Sequence, residues 1–547
     1  MPRHAASTAA VHAGAACLVV LATVRGLAQP PDGGRDFFGP PGGLDLKLVE
    51  RFDADASGRL DAAERAKARE AAKAERSGRH GGRGGFGRDR DGRPSPQPGR
   101  RVERSEGLAH PGVDLYDTAI LRTVFLDFPN ADWEQELADF YGTDVEVPAT
   151  ITVDQATIEG VGVHFRGASS FFGVGEGFKR SLNIAVDHTD AGANVLGYRT
   201  LNLLNAHGDP SLMSTVLYSH IAGSRIPTPR ANFVRLVING ENWGVYTNVE
   251  QANKDFLKRC YGDTKGDRWK VKGRPGGRGG LEYFGDDVER YHSTYEIKTK
   301  DTPEAWRGLI DVCRRLAETP PERIETDLGP VLDLEGILWF LALDNALVNS
   351  DGYWARASDY TLFADAKGMF HLIPHDMNEA FSSGHGGPGG RRGGRPPPPV
   401  PASGNDPRPG PAPPPDGSRP PRPFGPGGSP TLDPLVGLDD LAKPLRGRLL
   451  ADAVLRDRYL AHVQAIARDQ LDWPTLGPTI ARWRALIIDA VREDTRKLSS
   501  TEAFEEMTSP EPPKDGRTNL RGFLDKRRGY LLDYTPNRPA TDRPTAP

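Results

Sequence analysis

Three places in this sequence combine side-chain types and spacing that could do chemistry. The first is the run Asp53-Ala-Asp55-Ala-Ser57-Gly58-Arg59-Leu60-Asp61-Ala-Ala-Glu64. Side-chain oxygens fall at positions one, three, five and nine of a twelve-residue loop, and Arg59 at seven supplies a carbonyl. Gly58 at six permits a sharp turn and Glu64 at twelve can give two oxygens, so the loop suits Ca²⁺. An acidic, solvated helix-turn-helix is the alternative. The second place is Asp351, Asp359 and Asp376, which border short β-type runs at 360–363 and 370–373. Acids on such loops suit divalent ions, Mg²⁺ or Mn²⁺, held against phosphate oxygens. Solvated turns fit the same spacing. The third is Arg166-Gly167-Ala168-Ser169-Ser170, followed by Lys179. A Gly/Ser turn offers backbone N–H groups to phosphate, and a lysine leading into the next strand sets a positive charge beside it. A surface hairpin with an exposed lysine has the same pattern.

The elements that must position these groups follow from periodicity. Leu44, Leu48, Val49 and Phe52 share one helical face before the acidic loop, and an Ala/Lys/Glu run follows it to Glu75. From Val113 to Glu250 the pattern favours strands, at 150–153, 160–165, 181–186, 233–238 and 245–249, with the last two joined through Asn239-Gly240 as a hairpin. One helix interrupts them after Asp209-Pro210, with Leu212, Val216, Leu217, His220 and Ile221 on one side. Beyond a Gly-rich loop at 274–280, helices are expected at 303–318, 334–347, 440–450, 453–470, 475–497 and 520–532. The fold class is therefore α+β.

Composition separates these parts. Gly (63) and Pro (48) make up about a fifth of the 547 residues, against a usual share of about 12 %. Two tracts hold most of that excess. Residues 78–107 read as a flexible basic linker, and 384–430 as a disordered Gly/Pro/Arg-rich insertion, because neither has the apolar content to offset the entropy of ordering. A hand at 44–77 tethered by such a linker would transmit little to the rest of the chain. Charges nearly cancel, at 70 basic against 74 acidic residues. That balance excludes a body built wholly for polyanions, and the Arg/Gly tracts lack the aromatic interleaving of nucleic-acid binders. Arg3 and His4 precede an apolar run from Val11 to Ala22 that closes near Gly26-Leu27-Ala28, so 1–28 reads as an export signal, too short to span a membrane. The protein is then expected to be secreted or periplasmic, with the cell surface possible. Cys17 leaves with the signal, so Cys260 and Cys313 are the sole candidates for a disulfide.

Two resemblances sharpen this. Residues 44–75 resemble an EF-hand, which implies Ca²⁺ held by Asp53, Asp55, Ser57, Arg59, Asp61 and Glu64. Residues 113–383 and 434–534 resemble the CotH kinase family, named after a spore-coat protein H. The resemblance rests on Arg-Gly-x-Ser-Ser with its following lysine, on Asn239-Gly240-Glu241-x-x-Gly244-Val245-Tyr246-x-x-x-Glu250, and on Ile373-Pro374-x-Asp376-x-x-x-x-Phe381. It implies an atypical two-lobe protein-kinase-like fold, with a β-rich first lobe and a helical second one. It also implies transfer of phosphate from ATP to Ser or Thr of a secreted or surface protein. Arg166, Gly167, Ser169, Ser170 and Lys179 would face the nucleotide phosphates, Glu250 would lie at the hinge near adenine, and Asp351 would be the catalytic acid. Asp376 and Asp359 would hold Mg²⁺ or Mn²⁺. Two positions depart from the family: His375 replaces a usual Trp, and Asp359 a usual Asn. Those departures, and the scarcity of nucleotide outside cells, leave a non-catalytic binding or adhesion protein of the same fold as the alternative.

Overall fold

The computed structural model describes residues 46–79, 95–271, 273, 278–381, 428–514 and 517–536. The expected export signal and Cys17, the middle of the basic linker, most of the 384–430 insertion and most of the 535–547 tail lie outside the described residues.

A closed barrel of seven strands forms the first half. Its strands are β1 (Arg122–Asp127), β2 (Val147–Val153), β3 (Ala156–Phe165), β4 (Leu182–Ala185), β5 (Thr200–Leu204), β6 (Ala231–Ile238) and β7 (Glu241–Val249). Neighbours are antiparallel except where β1 lies parallel to β6 and closes the ring. The β6–β7 hairpin forms as the Asn-Gly pair demands: Asn239 and Gly240 sit at φ 48° and 75°, the left-handed pair of a tight hairpin turn. Alternating residues such as Val161, Val163, Leu201, Leu203, Val234 and Leu236 fill the interior.

Five helices precede these strands or fall between them in the chain: α1 (Val49–Phe52), α2 (Ala62–Arg79), α3 (Trp133–Asp139), α4 (Ser169–Phe172) and α5 (Ser214–Ala222). Asp209 accepts the N–H of Ser214 at 2.8 Å and so caps α5, which starts later than Asp209-Pro210 suggested. The second half is mostly helical, with α6 (Lys254–Tyr261), α7 (Glu289–His292), α8 (Pro303–Glu318), α9 (Ile324–Leu328), α10 (Leu334–Ala346), α11 (Tyr353–Arg356), α12 (Pro444–Leu449), α13 (Ala453–Asp469), α14 (Trp473–Glu493), α15 (Thr501–Met507) and α16 (Leu520–Leu532). An antiparallel sheet runs among them in the order β11-β10-β8-β9, built from β8 (Gly266–Val271), β9 (Tyr295–Ile297), β10 (Tyr360–Asp365) and β11 (Phe370–Pro374). The main apolar core of this half joins α5, α8, α10, α13, α14 and α16. The whole is mixed α+β.

Four expectations are corrected here. The 78–107 tract is not a free linker throughout, because residues 95–107 lie along the β6–β7 hairpin. Val102 N–H donates to Gly240 O (2.9 Å) and Asn242 N–H to Arg100 O (3.0 Å), while the Val102 side chain is buried against Phe125 and Val237. The hand is not loosely tethered either. Leu48, Leu60, Ala68 and Ala72 belong to the barrel core, and Asp144 Oδ1 accepts the N–H groups of Leu48 (2.7 Å) and Val49 (3.1 Å). Three arginines of α2 grip the α3 region. Arg65 pairs with Glu136 (3.1 Å, both buried), Arg69 with Asp139 (2.6 Å), and Arg76 donates to the carbonyls of Ala138 (2.8 Å) and Tyr141. The entry helix of the hand is a single turn, shorter than expected. Cys260 and Cys313 are both free, so the possible disulfide does not form. Among the described residues no helix is long and apolar enough to cross a membrane.

Candidate functional site

The loops on either side of the β10–β11 hairpin bring the three acids together. His375 N–H donates to Asp359 O (3.0 Å), tying the residue before Asp376 to Asp359. Ser350 N–H donates to Glu379 O (3.3 Å), which ties the loop of Asp351 to the same strand exit. Asp359 and Asp376 both adopt left-handed backbone, at φ 59° and 52°, a strained conformation that concentrates at functional sites. Burial pushes the Asp351 carboxyl up to about 6, with Asp376 adding to the rise and Arg356, 2.5 Å away, opposing it. Asp359 is raised by burial and then by the negative charges of Asp376 and Asp351. Sequence reasoning missed a fourth acid, Glu379, raised to about 7 by burial and by Asp351 and Asp376. Its place was legible only in three dimensions, three residues past Asp376. These four carboxyls raise one another's proton affinity through mutually unfavourable fields, which one nearby arginine opposes; among the described residues, the acids whose oxygens converge within metal-ligand reach are instead Asp53, Asp55 and Glu64.

The turn at 166–170 lies next to these acids through the loop after β5. Asn205 Nδ2 donates to the carbonyls of Ser170 (3.2 Å) and Lys179 (2.9 Å), and Gly208, at φ 85°, lies against the Glu379 carboxylate. Gly167 adopts φ 79°, and its carbonyl accepts the Tyr141 hydroxyl at 2.5 Å. Ser169 and Ser170 open the one-turn helix α4, so this is a tighter element than a plain glycine turn. Arg166 is buried beside them, its N–H bonded to Ser181 O at 2.9 Å.

Lys179 is turned inward. Its ammonium donates to Asp494 Oδ2 (2.7 Å) and Val245 O (2.6 Å) and stands 5.1 Å from the Tyr246 ring centre, with lysine and aspartate almost completely buried. Asp494 ends α14, so the partner of this strand lysine comes from 315 residues further along the chain, beyond the reach of motif reading. Arg496 braces that end by donating to Gly177 O (2.5 Å) and pairing with Glu241. Glu250 stands where β7 leaves the barrel, but its carboxylate accepts from Arg259 Nε (3.0 Å) and Nη2 (2.5 Å) and from Arg230 N–H (3.0 Å).

In the hand, Asp53, Asp55 and Glu64 each aim a carboxylate oxygen into one cluster, all within 4.8 Å. Gly58, at φ 78°, gives its N–H to Asp53 at 2.7 Å, and Ser57 Oγ and the Arg59 carbonyl lie 3.0 Å apart. Asp61 does otherwise: it accepts the N–H groups of Ala63 and Glu64, both at 2.8 Å, and so caps α2.

The family described as "CotH kinase protein" matches residues 163–531, a span that takes in the turn, Lys179, the three acids and Asp494. The chain is also similar to the "Inner spore coat protein H" of Bacillus subtilis (strain 168). They are 25 % identical over 264 residues, which is 45 % of this chain and 66 % of the relative's length.

Proposed function

Since the chain belongs to the CotH kinase family, we propose that it is a phosphotransferase that moves the terminal phosphoryl group of ATP to a Ser or Thr hydroxyl of an exported or surface protein. The barrel would be the nucleotide-facing lobe and the helical half the acceptor-facing lobe. The observation that supports this reading most is the meeting of Asp351, Asp359, Asp376 and Glu379 beside a loop that touches the 166–170 turn. Asp376 and Asp359 would hold the Mg²⁺ or Mn²⁺ of the nucleotide. When bound, that ion would neutralise charge on the phosphate oxygens. Asp351 orients the acceptor hydroxyl and takes its proton as the new O–P bond forms and the bond to ADP breaks. The turn at 166–170 positions the phosphates, and a strand lysine paired with an acid is the arrangement by which kinases set a phosphate contact. Lys179 would serve in that way with Asp494 as its positioning partner. The hand would hold Ca²⁺ through Asp53, Asp55, Glu64, Ser57 and the Arg59 carbonyl, while Asp61 orders α2.

Incubating the full chain with γ-labelled ATP and Mg²⁺ or Mn²⁺, alone and with secreted proteins, tests the reading. Metal-dependent label on protein supports it. A second reading, a non-catalytic binding protein, is favoured by the Glu250 carboxylate, which is already engaged by Arg259 and the Arg230 N–H of the same chain. It predicts nucleotide-independent partner binding and no label.

A further inference from the structure

The loop that carries Asp351 has to be held against repulsion from three neighbouring acids, and its side-chain anchors include Arg356, 2.5 Å from the Asp351 carboxylate, and Ser358, whose hydroxyl donates to Asp351 O at 3.0 Å. It leaves α10 through Val348, in left-handed backbone at φ 52°, and enters the one-turn helix α11. Helix starts need acceptors for their free N–H groups. Residue 352 at the cap of α11 is a glycine and has no side chain to offer. The acceptor comes from the preceding helix. Asp344 of α10 is almost completely buried, and its carboxylate takes the N–H of Trp354 (3.4 Å), bonds the backbone of Tyr353, and bonds the side chain of Asn349. The Asp344 carbonyl also accepts the Asn349 N–H at 3.0 Å. A methyl group on residue 352 would overlap the Asp344 carboxylate, so glycine at 352 and aspartate at 344 fit each other. No cation pairs with Asp344 among the described contacts, although Arg446 is near enough to favour its charge. A buried carboxylate held by N–H groups of one loop is costly to keep for packing alone, since an apolar residue of that volume would fill the space.

We propose that Asp344 is a positioning residue: from α10 it caps α11 in place of the side chain that Gly352 lacks, and thereby fixes the carboxylate of Asp351 for the acceptor hydroxyl. This rests on the phosphotransferase reading for the role of Asp351, and on geometry for the cap. Asp344 touches neither the acids of the site nor a nucleotide, so its removal should act on the loop and spare nucleotide affinity.

The experiment compares Asp344→Leu, which deletes the acceptor, Asp344→Asn, which keeps one carbonyl, and Gly352→Ala, which drives the loop off the carboxylate. For each full-length variant, kcat is measured per nucleotide-binding site with Mn²⁺-ATP, together with nucleotide Kd and hydrogen exchange at 349–356. Asp344→Leu and Gly352→Ala should each lower kcat by about tenfold to a hundredfold with Kd unchanged within about threefold, and Asp344→Asn should fall between them and wild type. Amides at 353 and 354 should exchange faster in Asp344→Leu. The Asp344→Leu/Gly352→Ala double variant should be no worse than either single, because both break one contact. Wild-type kcat and wild-type exchange at 353–354 in a folded Asp344→Leu would overturn the proposal. Should Asp344→Leu fail to fold, Gly352→Ala carries the same test. A wild type without phosphoryl transfer would refute the phosphotransferase reading alone, and the exchange measurement would still decide the cap.

Discussion

Replacing Asp494 by Asn while leaving Lys179 in place should cost about 3 to 5 kcal/mol of folding stability, because it strands a buried ammonium. The ion pair is 2.7 Å long, with Lys179 at 1 % and Asp494 at 2 % side-chain exposure. At an effective dielectric of about 20, two unit charges at that distance attract by about 6 kcal/mol, and the desolvation of two ions offsets most of it. The pair as a whole therefore contributes little beyond what apolar groups would, while either ion alone is strongly unfavourable. Lys179→Met should likewise destabilise, since the Asp494 carboxylate would keep only the Arg496 N–H at 2.9 Å. The double variant Lys179→Met/Asp494→Asn should lose less than about 2 kcal/mol, giving a coupling energy of at least about 3 kcal/mol. Urea unfolding of the four proteins, followed by far-UV circular dichroism, measures this cycle. Single variants that each lose under about 1 kcal/mol, or a double variant that loses their sum, would refute the reasoning. Nucleotide-dependent phosphate transfer should be absent in the stable double variant, which separates the structural part of the pair from its part in the reaction.

Three further outcomes are expected. With a Ca²⁺ dissociation constant of about 10⁻⁵ to 10⁻³ M, saturating Ca²⁺ should raise the stability of the barrel as well as the hand, by about 2 to 3 kcal/mol at a hundredfold excess over that constant; equal calorimetric heats for wild type and Glu64→Gln would remove the site. Val102→Ala should cost about 1 to 2 kcal/mol in thermal or urea unfolding, because its side chain is 4 % exposed between Phe125 and Val237, whereas a free linker would show no change. Burial holds the Asp344 carboxyl at about 7 against an ordinary 3.8, so the folded chain keeps that proton to higher pH than the unfolded one. Stability from this group is full below about pH 4 and is lost as pH rises toward 7, by at most about 4 kcal/mol. The stability of wild type relative to Asp344→Asn should accordingly fall over that range, and a pH-independent difference would contradict it.

Much of this was legible along the chain where local rules act alone. Asn239-Gly240 specified its hairpin, and the helices at 303–318 and 520–532 formed at those bounds because apolar spacing and caps agree there. β1 and β5 were missed: Arg122–Asp127 carries the apolar run Val124-Phe125-Leu126 with no alternation, and Thr200–Leu204, though Leu201 and Leu203 alternate with Thr200 and Asn202, is only five residues long and is buried on both faces. The 95–107 segment misled because composition argued for freedom. Its order comes instead from backbone bonds to the hairpin edge and from ion pairs such as Arg100 with Glu106 (2.8 Å) and Arg104 with Asp127 (2.7 Å). The docking of the hand was hidden for a related reason, because Arg65, Arg69 and Arg76 read as solvent-facing helix charges until their partners on α3 and beyond are in place. At the site, Asp351, Asp359 and Asp376 were visible as residues, whereas Glu379, Asp344 and Asp494 act only through contacts that tertiary structure creates.

The measurement that bears most directly on the central claim is intact-mass analysis of wild type and Asp376→Ala after incubation with ATP and Mn²⁺, paired with calorimetry of Mn²⁺-ATP binding. Asp376 is partly exposed and carries little packing, so the variant should stay folded. The account predicts a metal-dependent gain of phosphoryl groups on wild type or an added acceptor protein, with loss of both that gain and the metal-dependent part of ATP binding in Asp376→Ala. Equal phosphorylation by a folded Asp376→Ala protein would contradict it.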